Sequence, residues 1–246
     1  MIIGGIEKFS LIDYAGHLSV VVFTQGCNFR CHFCYNPLLV LPTQAGEIKY
    51  QSSDAGNQKN HPEIIPEDDF FVFLKERTGK LDAVVVSGGE PTLHKDLDDF
   101  IIKIRDLGYK VKLDTNGTNP KMLEELLKQN LLDYIAMDIK SGESTYDLIV
   151  GVQPEMNDIK KSIEIIKNSG IGYEFRTTIV PEFHNEEVVK EMGVLVNGAE
   201  KWYLQPFKSD TDLVNKDFEN SKIYTDAEMK ELLKIASKFA KIVEIR

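Results

Sequence analysis

All three cysteines of the 246-residue chain lie within eight consecutive positions, as Cys27, Cys31 and Cys34 in a C-x3-C-x2-C pattern. An odd number of thiols crowded into one segment is a poor disulfide framework and suits a metal ion or an iron–sulfur cluster better. Three thiolates can bind three irons of a [4Fe–4S] cluster. Because there is no fourth cysteine, the fourth iron stays open unless His32, His94 or an external ligand binds it. A Cys3His zinc site is the alternative, although zinc motifs usually pair two separated knuckles and the sequence has one.

A second candidate loop, Ser87-Gly88-Gly89-Glu90-Pro91, directly follows an apolar run at residues 84–86. Two adjacent glycines allow the backbone to approach a ligand closely and to present its N–H and C=O groups. A plain turn between a strand and a helix is the other interpretation.

Charged and amide side chains end three further segments, at Asp114, at Asp138 with Lys140 and at Gln205, and Arg176 lies within a fourth. Asp138 and Lys140 are two positions apart, so on a strand they share a face, which we expect to line a barrel lumen. A buried pair of opposite charges is costly unless both groups are well bonded. The pair is therefore either a structural salt bridge or part of a ligand site, and Arg176 has the same two interpretations. Asp114 leads into an Asn-Gly turn, and Gln205 is predicted to complete a ligand pocket.

Six strands are predicted to carry these residues, at 20–23, 83–86, 110–114, 134–137, 173–180 and 203–204, with a last short strand at 242–245. Helical signals lie between them or after them: the apolar spacing of residues 97–104, the Asn119-Pro120 cap, the isoleucine stripe at 159–166 and the Thr225–Glu228 capping box. Strand–helix alternation predicts βαβ units, whose loops after the strands gather at one edge of the sheet. Six units suit an incomplete barrel or an open doubly wound sheet, and periodicity does not choose between them.

Length and composition predict one domain, with an extension at 1–16, a core at 17–208 and a terminal helix and strand at 209–246. A polar segment at 42–61 is predicted to be an exposed loop. The 39 acidic and 29 basic residues give a net charge of −10, so nucleic acid is not an expected partner. Neither a membrane-spanning apolar stretch nor a secretory signal is recognisable, and a cytoplasmic location is expected.

The cysteine motif, with the aromatic Phe33 before its last cysteine, and the Gly-Gly-Glu-Pro loop after the next strand together resemble the radical SAM superfamily over roughly residues 17–208. The resemblance implies an α/β fold of the incomplete (β/α)6 TIM-like barrel type. It also implies a [4Fe–4S] cluster on the three cysteines, with S-adenosylmethionine (SAM) on the open iron. Gly88, Gly89 and Glu90 would form the loop that holds the amino group of SAM, with Glu90 ordering the loop.

Within this superfamily, the segments at 10–16, 23–31, 113–117, 137–140 and 176–181 resemble the activating proteins of anaerobic ribonucleoside-triphosphate reductases, and more distantly pyruvate formate-lyase activating enzyme. Ala15 departs from a usual proline and Tyr35 from a frequent histidine. The resemblance implies that Lys140 and Arg176 lie against SAM. It also implies a monovalent cation near SAM, held by Asp114, Thr115, Ala136 and Asp138.

The implied reaction is the one-electron reductive cleavage of SAM, followed by removal of hydrogen from a glycine of a partner protein. The expected partners are an anaerobic ribonucleoside-triphosphate reductase and a flavodoxin- or ferredoxin-like electron donor. Two alternatives are a radical SAM enzyme that acts on a small molecule, and a zinc- or cluster-binding module without catalysis.

Overall fold

A computed structural model describes residues 1–40 and 64–246, which form one eight-stranded sheet and eight α-helices. The strands are β1 (Ile3–Ser10), β2 (Ser19–Thr24), β3 (Ala83–Gly88), β4 (Lys110–Thr115), β5 (Tyr134–Asp138), β6 (Gly172–Ile179), β7 (Ala199–Pro206) and β8 (Ala240–Ile245). The helices are α1 (Pro37–Val40), α2 (Glu67–Arg77), α3 (Leu97–Asp106), α4 (Pro120–Lys128), α5 (Tyr146–Val150), α6 (Met156–Lys167), α7 (Glu186–Leu195) and α8 (Asp226–Ala236).

The strands pair in their order along the chain, from β1 to β8, and the sheet is not closed. All pairs from β2 to β8 are parallel, whereas β1 is antiparallel to β2. In a doubly wound sheet the spatial order of the strands reverses partway across the sheet. The strictly sequential order observed here is that of an incomplete barrel. The α/β prediction is confirmed, and the six predicted strands correspond to β2–β7.

Two capping predictions agree with the helix ends. The side chain of Asn119 accepts a hydrogen bond from the N–H of Met122 at the start of α4. Thr225 and Glu228 form a reciprocal capping box at the start of α8. The predicted exposed loop at 42–61 lies outside the described residues. Within the part of the chain that the structure describes, no helix is both long and apolar enough to cross a membrane.

The two faces of the sheet bury different kinds of side chain. On β2 and β3, Val20, Val22 and Val84 belong to the main apolar core under the helices, whereas Val21 and Val85 face the lumen. On β4–β6 the lumen face is charged instead. Alternation along the strands therefore produces an outer apolar core and a polar interior that can hold a site.

The segment after β1 covers the end of the lumen where the strands begin. The Nζ of Lys112 donates to the carbonyl of Asp13 at 2.5 Å, and the rings of Tyr14 and Tyr134 lie 5.5 Å apart between centroids. A cavity of about 110 Å³ remains beside these residues. The candidate site lies at the opposite end, where the strands finish.

Candidate active site

The three cysteines lie on the loop between β2 and α1, and three neighbouring segments hold its backbone. The carbonyl of Gly26 accepts from the N–H of Glu90 at 2.8 Å. The N–H groups of Arg30 and His32 donate to the carbonyls of Val150 and Ile149 at the end of α5. From the other side, the N–H groups of Val214 and Asn215 donate to the carbonyls of Cys34 and His32, at 3.1 Å each. Hydrogen bonds from three separate segments therefore hold the backbone of the cysteine loop.

All three thiols are free, with Cys31 buried and Cys27 and Cys34 partly buried. Burial raises the pKa of Cys27 to about 11 and that of Cys31 to about 12, and it also raises the pKa of Cys34. The charge of Lys140 acts in the opposite direction on each thiol pKa. Metal coordination deprotonates such thiols outright, so the donor set fits an iron–sulfur cluster that releases protons as it binds.

His32 and His94, the two candidates for a fourth ligand, each have one ring nitrogen in a polar contact with another residue. His32 has its Nδ1 3.2 Å from the side-chain nitrogen of Asn215, and His94 has its Nε2 3.0 Å from the carbonyl of Gln25. Across residues 1–40 and 64–246, no three His, Cys, Asp or Glu side chains converge on a position for one metal ion. A zinc site requires that convergence, whereas a cubane takes each thiolate on a different iron.

The Gly88-Gly89 segment packs directly against the start of the cysteine loop. Gly88 has a φ of +119°, and a Cβ there would lie 2.3 Å from the nitrogen of Thr24. A Cβ on Gly89 would lie 2.0 Å from the carbonyl oxygen of Gly26. Within the protein, the close approach that these glycines permit is thus to the cysteine loop, and their contact with SAM stays a prediction.

Glu90 is completely buried and its carboxylate holds the loop after β3 in place. Its carboxylate accepts hydrogen bonds from the hydroxyl and N–H of Thr92, the hydroxyl of Thr115 and the N–H of Asn116, at 2.6–3.1 Å. Burial raises its pKa, and the hydrogen bonds oppose that rise. Glu90 therefore joins the glycine loop to the turn after β4.

Four of the predicted site residues meet in the lumen. Asp138 binds the Nζ of Lys140 and the Nε of Arg176, each at 2.9 Å. Arg176 also reaches the Oδ2 of Asp114 at 3.3 Å. Further along the lumen, Lys112 lies 3.5 Å from Asp114 and 3.7 Å from Glu174. The charges alternate in sign, so each carboxylate lies between two cations.

Lys140 is the member of this network that faces the cysteines. Its Nζ lies 5.8 Å from the centre of the Phe33 ring, inside the cysteine motif. Burial lowers the pKa of Lys140, but the charge of Asp138 outweighs burial and raises that pKa above its ordinary value. Burial raises the pKa of Asp138, but Arg176 and Lys140 outweigh burial and lower it. The site therefore presents a fixed ammonium beside the thiols.

The predicted monovalent-cation site is partly taken by a side chain. The guanidinium of Arg176 bridges Asp114 and Asp138, the two carboxylates that were expected to bind the ion. The Oδ1 of Asp114 is buried without a hydrogen bond, and the hydroxyl of Thr115 is bonded to Glu90. The bound cation stays a prediction. Gln205 lies near the end of β7, opposite Thr178 of β6.

Two residues that the sequence did not single out contact the backbone of Lys140. The N–H of Lys140 donates to the phenol oxygen of Tyr146 at 3.3 Å, and its carbonyl lies 2.9 Å from the Nε2 of His184. Tyr146 is 1% exposed and His184 is completely buried. A lone buried tyrosine or histidine has no spacing signal, so only the structure identifies these contacts.

Similarity to named proteins extends along most of the chain. A protein of Methanocaldococcus jannaschii, provisionally named a glycyl-radical enzyme activating enzyme, is 34% identical over 250 residues, covering 100% of this chain and 95% of that protein. The pyruvate formate-lyase-activating enzyme of Clostridium pasteurianum is 29% identical over 217 residues, covering 83% of this chain and 81% of the relative. The GTP 3',8-cyclase of Helicobacter pylori is 26% identical over 189 residues, covering 75% of this chain and 53% of the relative.

The fold is similar to that of SuiB from Streptococcus suis, in a crystal structure bound to the precursor peptide SuiA. The TM-score is 0.64 at 15% identity, with 92% of this chain and 48% of that chain covered, so the likeness concerns the fold alone. The model of the Radical SAM superfamily matches residues 21–194, a range that includes the three cysteines, the glycine loop and the charged lumen residues. The chain therefore belongs to the radical SAM superfamily.

Proposed function

We propose that this radical SAM enzyme generates a glycyl radical in a partner protein, and that the partner is an anaerobic ribonucleoside-triphosphate reductase. The observation that carries the proposal is the 34% identity, over the whole chain, to a relative named as an activating enzyme of glycyl-radical proteins. The 29% identity to a pyruvate formate-lyase-activating enzyme supports the same class of substrate.

Each part of the site has a definite task in this proposal. Cys27, Cys31 and Cys34 hold the [4Fe–4S] cluster, which implies an open iron because the chain has no further cysteine. When bound there, the cluster would supply the electron for the reductive cleavage of SAM, and removal of a hydrogen atom from the partner's glycine would follow. The rest of the chemistry depends on binding, orientation and exclusion of water by the protein.

Lys140 is the residue best suited to bind the anionic end of SAM. Its ammonium faces the thiols, and Asp138 fixes it at 2.9 Å. Arg176 stabilises Asp138 in turn, so that the ammonium is oriented before SAM arrives. Gly88 and Gly89 hold their loop against Gly26, and in this proposal backbone carbonyls of the same loop bind the amino group of SAM.

The proposal extends to the partners of the reaction. A flavodoxin- or ferredoxin-like protein provides the electron, a flexible glycine-containing loop enters the lumen, and a monovalent cation beside Asp114 and Asp138 is an optional element. A loop that orders on entering gives modest affinity, because part of the binding energy offsets its lost conformational freedom. The setting proposed for these encounters is the cytoplasm.

The test begins with anaerobic reconstitution and an assay for 5′-deoxyadenosine. Reduced, SAM-loaded protein is then mixed with glycyl-radical candidates from the same genome, and EPR spectra are recorded. A doublet that disappears when the partner glycine is changed to alanine supports the proposal. If SAM is cleaved but no candidate protein gives a glycyl-radical EPR signal, the small-molecule alternative is favoured. A colourless protein that contains one zinc would favour the non-catalytic alternative.

Lys140→Ala examines the binding role separately. It is expected to weaken SAM binding while iron content stays near that of the wild type, since Lys140 touches no cysteine ligand by hydrogen bond. Unchanged SAM affinity in a folded, iron-loaded variant would leave Lys140 with only its structural ion pair.

A further inference from the structure

Lys140 lies just beyond β5, where sheet hydrogen bonds no longer fix its backbone. The last bond of this kind is donated by the N–H of Ile139 to the carbonyl of Arg176, at 2.8 Å. The two backbone groups of Lys140 itself are instead held by the buried side chains of Tyr146 and His184. Side chains, not the sheet, therefore determine where the Lys140 backbone lies.

The tautomer of His184 follows from its partners. Its Nδ1 lies 2.9 Å from the backbone nitrogen of Val180, which can only donate, so Nδ1 is the acceptor. The ring proton is consequently on Nε2, and Nε2 donates to the carbonyl of Lys140. Burial lowers the pKa of His184 to about 4, so the ring is neutral at physiological pH and keeps one donor and one acceptor.

We propose that His184 is a positioning residue for SAM binding, which acts by fixing the backbone of Lys140. A fixed backbone keeps the ammonium within reach of Asp138 and of the Phe33 ring. The inference rests on the proposed contact between Lys140 and SAM. It concerns a residue whose ring contacts the backbone of Val180 and of Lys140.

A purely structural role is the competing explanation. His184 also closes a turn, since its N–H donates to the carbonyl of Val180 and its ring accepts from the N–H of the same residue. The hydroxyl of Tyr224 donates to the carbonyl of His184 at 2.9 Å, which ties the turn to the segment before α8. Loss of the whole ring would damage the turn and the Lys140 contact together, so a simple deletion does not separate the two roles.

Two amide substitutions do separate them. Glutamine can place its N–H near the position of Nε2, so His184→Gln keeps the donor to Lys140 and weakens the bond to Val180. Asparagine reaches only the position of Nδ1, so His184→Asn keeps the acceptor for Val180 and loses the donor. A structural role predicts that both variants lose SAM affinity equally, or that His184→Gln loses more. A positioning role predicts that His184→Asn loses SAM affinity and His184→Gln does not.

The measurements are the SAM dissociation constant of the iron-loaded protein and amide hydrogen exchange around Lys140 in the metal-free protein. We expect His184→Asn to bind SAM roughly five- to tenfold more weakly, the usual effect of losing one buried hydrogen bond, and to exchange faster at Ile139–Ser141. His184→Gln is expected to stay within about twofold of the wild type. Tyr224→Phe, which loosens the same turn without touching Lys140, serves as the matched control and is expected to leave SAM affinity unchanged.

The outcomes separate this inference from the proposed function. If both amide variants lose affinity equally, or if exchange at Ile139–Ser141 is the same in both, the positioning role is overturned while the function stands. If Lys140→Ala itself leaves SAM affinity unchanged, the proposed lysine contact is wrong, and the positioning role falls with it. In the double variant Lys140→Ala/His184→Asn, a positioning role predicts no further loss beyond that of Lys140→Ala.

Discussion

Gly89→Ala is expected to separate the two loops that form the site. A Cβ at this position would lie 2.0 Å from the carbonyl oxygen of Gly26 and 2.6 Å from its carbonyl carbon. Because both atoms belong to backbone, no side chain can rotate away, and one of the two loops must shift by about 1 Å. The shift would also break the 2.8 Å hydrogen bond from the N–H of Glu90 to the same oxygen.

The cost can be estimated from these two effects. Overpacking costs about 1–3 kcal/mol, and contact with rigid backbone belongs at the upper end of that range. The lost hydrogen bond adds about 1 kcal/mol. Gly89→Ala is therefore expected to lower the free energy of unfolding by about 3–4 kcal/mol, with reduced iron uptake because the cysteine loop is displaced.

Urea unfolding of the metal-free protein and iron content after reconstitution provide the assay. Gly5→Ala is the matched control, because a Cβ there meets only the side chain of Phe23, at 3.6 Å. This contact is ordinary, so the control should change stability by less than about 1 kcal/mol. If Gly89→Ala is as stable as Gly5→Ala and takes up the same iron, the two loops are not in the contact described, and the reasoning is refuted.

Three further predictions concern the network and the thiols. Asp138→Asn should lower the free energy of unfolding, measured in urea, by about 3 kcal/mol, because it removes the carboxylate between Lys140 and Arg176. An unchanged urea midpoint would mean that water screens the lumen charges. Cys31→Ser should abolish the brown chromophore, as read by absorbance and iron content, and a variant that still cleaves SAM would contradict the three-ligand assignment. The free energy of unfolding of the metal-free protein should fall by about 3 kcal/mol as the pH falls from 6.5 to 4. His184 binds a proton in the unfolded chain over this range, whereas in the folded protein its pKa is about 4 and it stays neutral. Urea unfolding across that range should show a smaller loss for His184→Gln, and an equal loss would assign the effect to other groups.

The strands that could be predicted from the sequence are those that are apolar on both faces or that alternate between apolar and polar residues. Continuous valine runs mark β2 and β3 because each strand is covered by helices on one side and by the lumen filling on the other. β1 has no such mark, since it contains adjacent glycines and three consecutive exposed residues. Its antiparallel register with β2 shifts twice, between Ile3 and Gly5 and between Glu7 and Ser10, and local periodicity does not encode such shifts.

The same distinction applies to the site. Asp138 and Lys140 could be assigned to one face because a strand repeats every two residues, and their 2.9 Å contact agrees with that assignment. The partners of the Lys140 backbone could not be assigned, because any donor or acceptor can satisfy a peptide group and the partners lie 6 and 44 positions away. The bridge from Arg176 to both aspartates depends in the same way on the relative stagger of β4, β5 and β6. Sequence therefore identifies which side chains carry the charges, whereas the strand register and the buried contacts of Tyr146 and His184 determine the direction in which the Lys140 ammonium points.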